Sequence, residues 1–192
     1  MVRIDRVSTR TGDGGSTRLG DGTQVSKSDW IMEAVGLVDA ANCTFGVALC
    51  EEMPEGLPER LRACQNDLFD VGSDLVMPPG GPHEDKIPRL TAAYVDRLEL
   101  WAEEAQEVLA PLTSFVLPGG SRAAAALHQC RVTVRAAERA VVRARPEMSG
   151  REEGPLPLAI YLNRLSDLCF QWSRMCNDNG KTDILWEPGR GS

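Results

Sequence analysis

The sequence predicts an all-α protein: a five-helix bundle built as one domain over residues 1–192. Five segments repeat apolar residues at helical spacing. Breaks rich in proline and glycine separate them, and no segment carries a convincing strand alternation or an internal repeat. At 192 residues the chain can bury a real core. It divides into a Gly-rich N-terminal arm (1–28), the helices (29–178) and a C-terminal tail (179–192).

Ser28 or Asp29 caps a first helix that runs to about Cys50, with Ile31, Val35, Val38, Phe45 and Leu49 on one stripe. Asn42 lies within that stripe and Asp39 at its edge; a core-facing asparagine requires a structural partner or a ligand. After "MPEG" a second helix spans about Pro58 to Val76, its apolar face being Leu61, Cys64, Leu68, Val71 and Leu75. Asp67, Asp70 and Asp74 gather on another side, read as a solvated face in preference to a set of metal carboxylates. "MPPGGPHEDKIP" is a surface loop. A third helix covers about Arg89 to Leu109 with Leu90, Tyr94, Leu98 and Trp101 inward.

"APLTSFVLPGG" then connects to a fourth helix, and its Phe115-Val116-Leu117 is too apolar for an ordinary exposed loop. The fourth helix starts after Gly120 with Ser121 as its cap and ends near Ala144. The fifth runs from about Leu158 to Asn177, with Leu162, Leu165, Cys169, Trp172 and Cys176 toward the core.

Composition narrows the function. Lys plus Arg number 21 against 28 Asp plus Glu, a net charge of −7, which argues against a nucleic-acid or anionic-membrane surface. No apolar run approaches the roughly 20 residues of a membrane span, and "MVRIDRVSTR" lacks the apolar core of a secretory signal. The six cysteines form no C-x-x-C pair. Cys43/Cys50 and Cys169/Cys176 each recur seven apart on one helix face, which suits small buried hydrophobes. His83 and His128 are too few for a zinc site. A reduced, cytoplasmic protein without a structural metal is the expectation.

Polar residues gather in three places. "STRTGDGGSTRLGDGTQVSK", Ser8 to Lys27, combines glycines with hydroxyls and cations, a phosphate-binding chemistry outside the P-loop pattern. A frayed, soluble arm is the alternative. On the fourth helix Arg131, Arg135 and Glu138 form one stripe flanked by His128. There Glu138 could lock a guanidinium into the fixed fork that phosphate recognition needs. On the fifth, Asn163, Asp167, Phe170 and Arg174 form a stripe away from the core that suits a purine or ribose contact and a subunit interface equally.

These blocks resemble a known family. "TRTGDGGSTRLGDGTQVSKSD", "EAVGLVDAAN", "QNDLFDVGSDL", "FVLPGGSRAAAALHQCRVTVRAAERAVV" and "YLNRLSDLCF" are similar, in order, to the signature blocks of PduO-type ATP:cob(I)alamin adenosyltransferases, over nearly the whole chain. The resemblance implies a homotrimer with its active site between adjacent subunits. It implies that the arm folds over ATP through Thr9, Arg10, Thr11, Gly12, Asp13, Gly15, Thr17, Arg18 and Lys27, joined by Arg135, Glu138 and Asn163. Arg131 matches an arginine that, with the aspartate matched by Asp39, bridges subunits beside the corrin ring; Asp167 and Arg164 belong to the "NRLSD" block, Asp167 on the cobalamin side. Phe115 matches the aromatic facing the lower side of the cobalt, its alternative role being a packing anchor.

The implied reaction joins ATP and reduced cobalamin, with Mg2+ beside the triphosphate. A reductase and an adenosylcobalamin-dependent mutase are the implied partners, and an escort that carries cofactor without turnover is the alternative. A ferritin-like metal bundle would require Glu-x-x-His pairs, and neither histidine has one. Departures stand at Ala40, where the family's "DELN" reads "DAAN", at Ala136 after Arg135, at Ser8 and at Gly14.

Overall fold

A computed structural model describes residues 8, 10–80, 84–148, 150–151, 154 and 156–190. Among these, five helices dominate: α1 (Trp30–Ala48), α2 (Leu57–Val76), α3 (Ala92–Val108), α4 (Arg122–Ala144) and α5 (Pro157–Met175). Ser121 caps α4 as expected, its hydroxyl accepting from the Ala124 amide at 3.0 Å. The other boundaries fall within a few residues of the sequence reading.

The helices pack in the order α2, α1, α4, α5, α3. Trp172, Tyr161 and Phe45 are the largest fully buried side chains, surrounded by leucines from α2, α4 and α5. The second-helix stripe Leu61, Cys64, Leu68, Val71 and Leu75 is buried throughout. On α1 the inward side also holds Ala34, Ala41 and Ala48, which with Ala137, Ala140 and Ala144 of α4 give the extensive α1–α4 contact small side chains. Uniform apolarity hid this alanine seam: α1 is long and apolar enough to pass for a membrane span, contrary to expectation. Here it lies against α2 and α4 as a core helix. Asn42 finds a structural partner, its Nδ2 donating to the Gln65 carbonyl at 3.1 Å while Gln65 Nε2 reaches the Asn42 carbonyl at 3.3 Å.

Long polar side chains join α2 to α3 and close the ring. Arg60 pairs with Glu104 at 2.5 Å, Tyr94 donates to Asp70 at 3.0 Å, and Arg97 pairs with Asp67. This corrects the reading of Asp67 and Asp74 as a solvated face, for both are buried. Asp67 also accepts from the Tyr161 hydroxyl at 2.7 Å. Asp74 accepts from Arg89 at 2.6 Å, Arg151 at 2.5 Å and the Leu90 amide at 3.1 Å, gathering both loops beyond α2. Their partners lie 15 to 94 residues away in sequence, so helix periodicity alone could not reveal them.

A second correction concerns the arm. Its described part is a small antiparallel hairpin, β1 (Ser16–Arg18) against β2 (Gln24–Ser26), with Thr17 opposite Val25. Three-residue strands around glycines leave no alternation to read. The Gly20 amide donates to the Val76 carbonyl at 2.9 Å, and a β-carbon at Gly20 would collide with Met77, so the hairpin is fastened to the end of α2. The same end holds Glu147, which follows α4 and accepts from the Ile31 amide at 3.1 Å.

Candidate functional site

The connection from α3 to α4 carries Phe115 at the other end of the bundle, near the start of α4. At roughly 1.5 Å per residue the 23-residue α4 separates the two ends by about 34 Å. Phe115 is 78% exposed, the most open of the large hydrophobic side chains among the described residues. Its ring meets Trp186 with centroids 6.1 Å apart and planes tilted by 58°. Both rings line a cavity of about 660 Å³ with Leu112, Val116, Arg131 and Phe170. A neighbouring cleft of about 490 Å³ shares Leu112, Arg131 and Phe170 and continues along Arg135, Arg164 and Asp167.

Backbone pairing fixes Phe115. Val116 forms a β-bridge with Leu185 of the tail; the Leu117 amide donates to the Ile184 carbonyl at 2.8 Å and the Trp186 amide to the Phe115 carbonyl at 2.7 Å. Sequence reading left this tail without a role, although its apolar Ile184-Leu185-Trp186 run was a visible signal for such pairing.

On α4, Arg131 is half-buried, and its Nε has no hydrogen-bond partner among the described residues. His128 is buried one turn earlier, with both ring nitrogens unpartnered among the described residues and its ring 6.1 Å from Phe170. Burial, then the Arg131 charge, hold this imidazole below the ordinary histidine range, against an upward pull from Asp183. Glu138 does not lock a guanidinium: among the described residues it pairs with neither Arg131 nor Arg135, and accepts instead from Asn163 Nδ2 at 3.3 Å. Arg164 binds Glu99 at 2.9 Å and the Asn163 carbonyl oxygen of the side chain at 2.7 Å. Arg135 and Asp167 are exposed, and Asp39 is exposed on α1. Arg174, read as part of the outward stripe, turns inward to a buried pair with Asp183 at 2.7 Å.

The hairpin forms a separate concavity of about 550 Å³ lined by Thr11, Gly12, Thr17 and Arg18 with Ser16 and Gln24. Lys27 extends over Gly12, its Nζ 2.9 Å from where a β-carbon would sit. Asp13 and Gly15 lie in the turn closed by the Gly15 amide on the Gly12 carbonyl at 3.2 Å, and Arg10 precedes it with φ 61°. Thr9 lies outside the described residues. Within one chain, then, the expected nucleotide residues fall into two groups: those at the hairpin, and those on α4 and α5, where Arg135 lines the cleft beside Arg131 and Glu138 and Asn163 bond each other.

Among the described residues no three His, Cys, Asp or Glu side chains gather as a metal site. All six cysteines are free thiols. Cys64, Cys130 and Cys169 are buried as expected, and burial pushes the Cys130 thiol up to about 11. Cys43 and Cys50 differ from the expectation and are exposed.

Residues 7–176 match the model of the cobalamin adenosyltransferase family. The chain belongs to that family. A corrinoid adenosyltransferase of Mycobacterium tuberculosis is 45% identical over 192 residues, covering 98% of this chain and 96% of the relative. A cobalamin adenosyltransferase of Cupriavidus metallidurans is 40% identical, covering 99% and 98%. Among solved structures, a phenylalanine-to-alanine variant of the PduO-type ATP:corrinoid adenosyltransferase from Lactobacillus reuteri, complexed with cobalamin and ATP, superposes with a TM-score of 0.83. It is 29% identical, with coverage of 95% and 99%. Membership in the cobalamin adenosyltransferase family makes the chain a transferase.

Proposed function

We propose that the protein transfers the 5′-deoxyadenosyl group of ATP to the cobalt of cob(I)alamin and releases inorganic triphosphate, at sites between the subunits of a homotrimer. The observation that carries this reading is Phe115: an exposed aromatic ring, held by backbone pairing at the mouth of a cavity of about 660 Å³ whose wall bears Arg131. That volume lies within the roughly 300–1,000 Å³ of small-molecule pockets.

In the reaction the filled cobalt orbital attacks C5′, the C5′–O bond breaks, and its electron pair leaves with the triphosphate. No proton moves in that step, so no general base is required. The protein's work is to hold the carbon in line with the cobalt and to offset the charge on the departing group. Thr11, Thr17, Arg18 and Lys27, with Arg10 and backbone amides at Gly12 and Asp13, supply donors for the triphosphate, and Gly15, whose amide closes the turn on the Gly12 carbonyl, shapes the loop that presents them. Arg135, Glu138 and Asn163 complete the nucleotide site. Magnesium would enter with the triphosphate and offset part of its charge.

Phe115 faces the lower side of the cobalt. A phenyl ring has no lone pair, so it excludes both the cofactor's own base and water, and a cob(II)alamin without a lower ligand accepts an electron more readily. Arg131 and Asp167 line the corrin side. A trimer gives the separated groups a common site, one chain's hairpin facing the next chain's arginine wall. It also brings the exposed Asp39 of one chain to Arg131 of another. A cytoplasmic reductase supplies the electron and an adenosylcobalamin-dependent mutase consumes the product.

Mixing the protein with ATP, Mg2+ and reduced cobalamin should produce the alkylcobalt absorbance and one triphosphate per adenosylcobalamin. Binding of both substrates without triphosphate release would instead identify an escort, the reading left open by Ala40 and Ala136. Sedimentation should give a trimer, and a stable monomer would refute the shared site.

A further inference from the structure

Nothing in the Phe115 side chain's own burial holds it in place, and its one ring partner among the described residues, Trp186, belongs to the tail. Its position is therefore borrowed from the segment after α5. That segment turns back sharply: Asp178, Asn179 and Gly180 have φ values of 50°, 53° and 88°. The Gly180 amide donates to the Arg174 carbonyl at 2.8 Å, and a β-carbon at Gly180 would lie 2.6 Å from Arg174 Nη2. Only glycine fits there.

Asp183 then enters the interior. One carboxylate oxygen accepts from Arg174 Nε at 2.7 Å, the other from Asn177 Nδ2 at 3.1 Å. The same two donors grip the connection that carries Phe115. Arg174 Nη2 donates to the Ala110 carbonyl at 2.8 Å, near its start. Asn177 Nδ2 donates to the Gly119 carbonyl at 3.1 Å, and its Oδ1 accepts from the Ser121 amide at 3.0 Å, at its end. The Arg174 and Asp183 side chains are 6% and 3% exposed. A buried ion pair is a poor source of net stability and a good device for fixing one geometry.

We propose that the Arg174–Asp183 pair is a latch that positions Phe115, holding residues 183–186 as a return strand against residues 114–117. This rests on the cobalt-facing role of Phe115 proposed above. Neither latch residue touches substrate; both act through the ring they place.

The test uses Asp183→Asn, Arg174→Met, Arg174→Lys and a chain ending at Thr182. Amide hydrogen exchange reads the latch without activity. At Leu117, whose partner is the Ile184 carbonyl, exchange should rise by roughly tenfold or more in the Asn and Met variants and in the truncation, while mid-α4 amides stay protected. Turnover from cob(II)alamin with a reductant should fall by roughly tenfold or more, turnover from pre-reduced cob(I)alamin should fall much less, and the KM for ATP should stay within about twofold. Electron paramagnetic resonance of cob(II)alamin bound with ATP should show a smaller share lacking a lower ligand, and Arg174→Lys should restore part of it.

Protection of Leu117 unchanged in every variant, or equal losses from both cobalt states, overturns the latch. If the Asn and Met variants fail to fold, Arg174→Lys decides the matter by the same readouts, since the truncation removes Ile184 and Trp186 themselves and so tests the return strand alone. A wild-type chain that makes no adenosylcobalamin refutes the proposed function and leaves the exchange result to judge the latch alone.

Discussion

Replacing Phe115 by alanine separates chemistry from stability, because the ring covers so little of itself. It is 78% exposed. A fully buried aromatic hides ~150–250 Å², so the covered part of this ring is about 40 Å², or about 1 kcal/mol at ~25 cal/mol per Å². The tilted contact with Trp186 adds ~0.5–1.5 kcal/mol. Phe115→Ala should therefore lower stability by about 1.5–2.5 kcal/mol, a fall in Tm of roughly 3–10 °C for a chain of this size. ATP affinity should hold within about twofold, since no nucleotide contact is assigned to the ring. Turnover from cob(II)alamin should drop by more than about tenfold, which is ~1.4 kcal/mol of lost transition-state stabilisation. The assay pairs a thermal melt with the alkylcobalt absorbance under a protein reductant. Unchanged turnover would remove Phe115 from the cobalt face. A Tm loss well beyond 10 °C would make it the packing anchor that the sequence left as its alternative.

Arg131→Ala should impair cobalamin use by roughly tenfold or more while the KM for ATP shifts less than about threefold, and equal loss of both would contradict its corrin-side place. Asp67→Ala strands the Tyr161 hydroxyl and Arg97 together; breaking such a buried pair costs about 3–5 kcal/mol. The partial exposure of the Arg97 side chain, at 38%, points to the lower end, or a Tm fall of roughly 6–12 °C. A fall under about 2 °C would show that the pair is not holding α2 to α3. His128 binds its proton less readily in the folded chain than in the unfolded one. Its contribution to stability is thus full above the ordinary pKa of 6.5 and is lost as pH falls through that value toward the depressed folded one. The stability difference between wild type and His128→Gln should shrink on acidification, as read by denaturant melts at several pH values; a pH-independent difference would refute a neutral, buried imidazole.

Sequence legibility tracked how local each interaction is. The Ser121 cap, the α2 stripe and the number of helices depend on neighbours within a turn or two, and all were readable. Asp67, Asp74 and Arg174 were misjudged because their partners come from other elements, and a charge on a helix carries no mark of a distant arginine or aspartate. The inward alanines of α1 were passed over because apolar residues extend well beyond the stripe that its larger side chains mark. Phe115, Arg131, Arg135 and Asp167 do share adjoining cavities, but their grouping came from motif likeness; spacing alone gave only Arg131 and Arg135 as one stripe. The hairpin escaped because strands of three residues hold too few positions to show a period.

The fastening of the hairpin to the end of α2, at the opposite end of the bundle from Phe115, has a genetic consequence for the proposed assembly. A lesion in Arg18 spoils what a protomer gives away, whereas a lesion in Arg135 spoils what it keeps. Two crippled alleles of these opposite kinds, co-expressed, would rebuild some intact pairings in mixed assemblies, while two of the same kind never would.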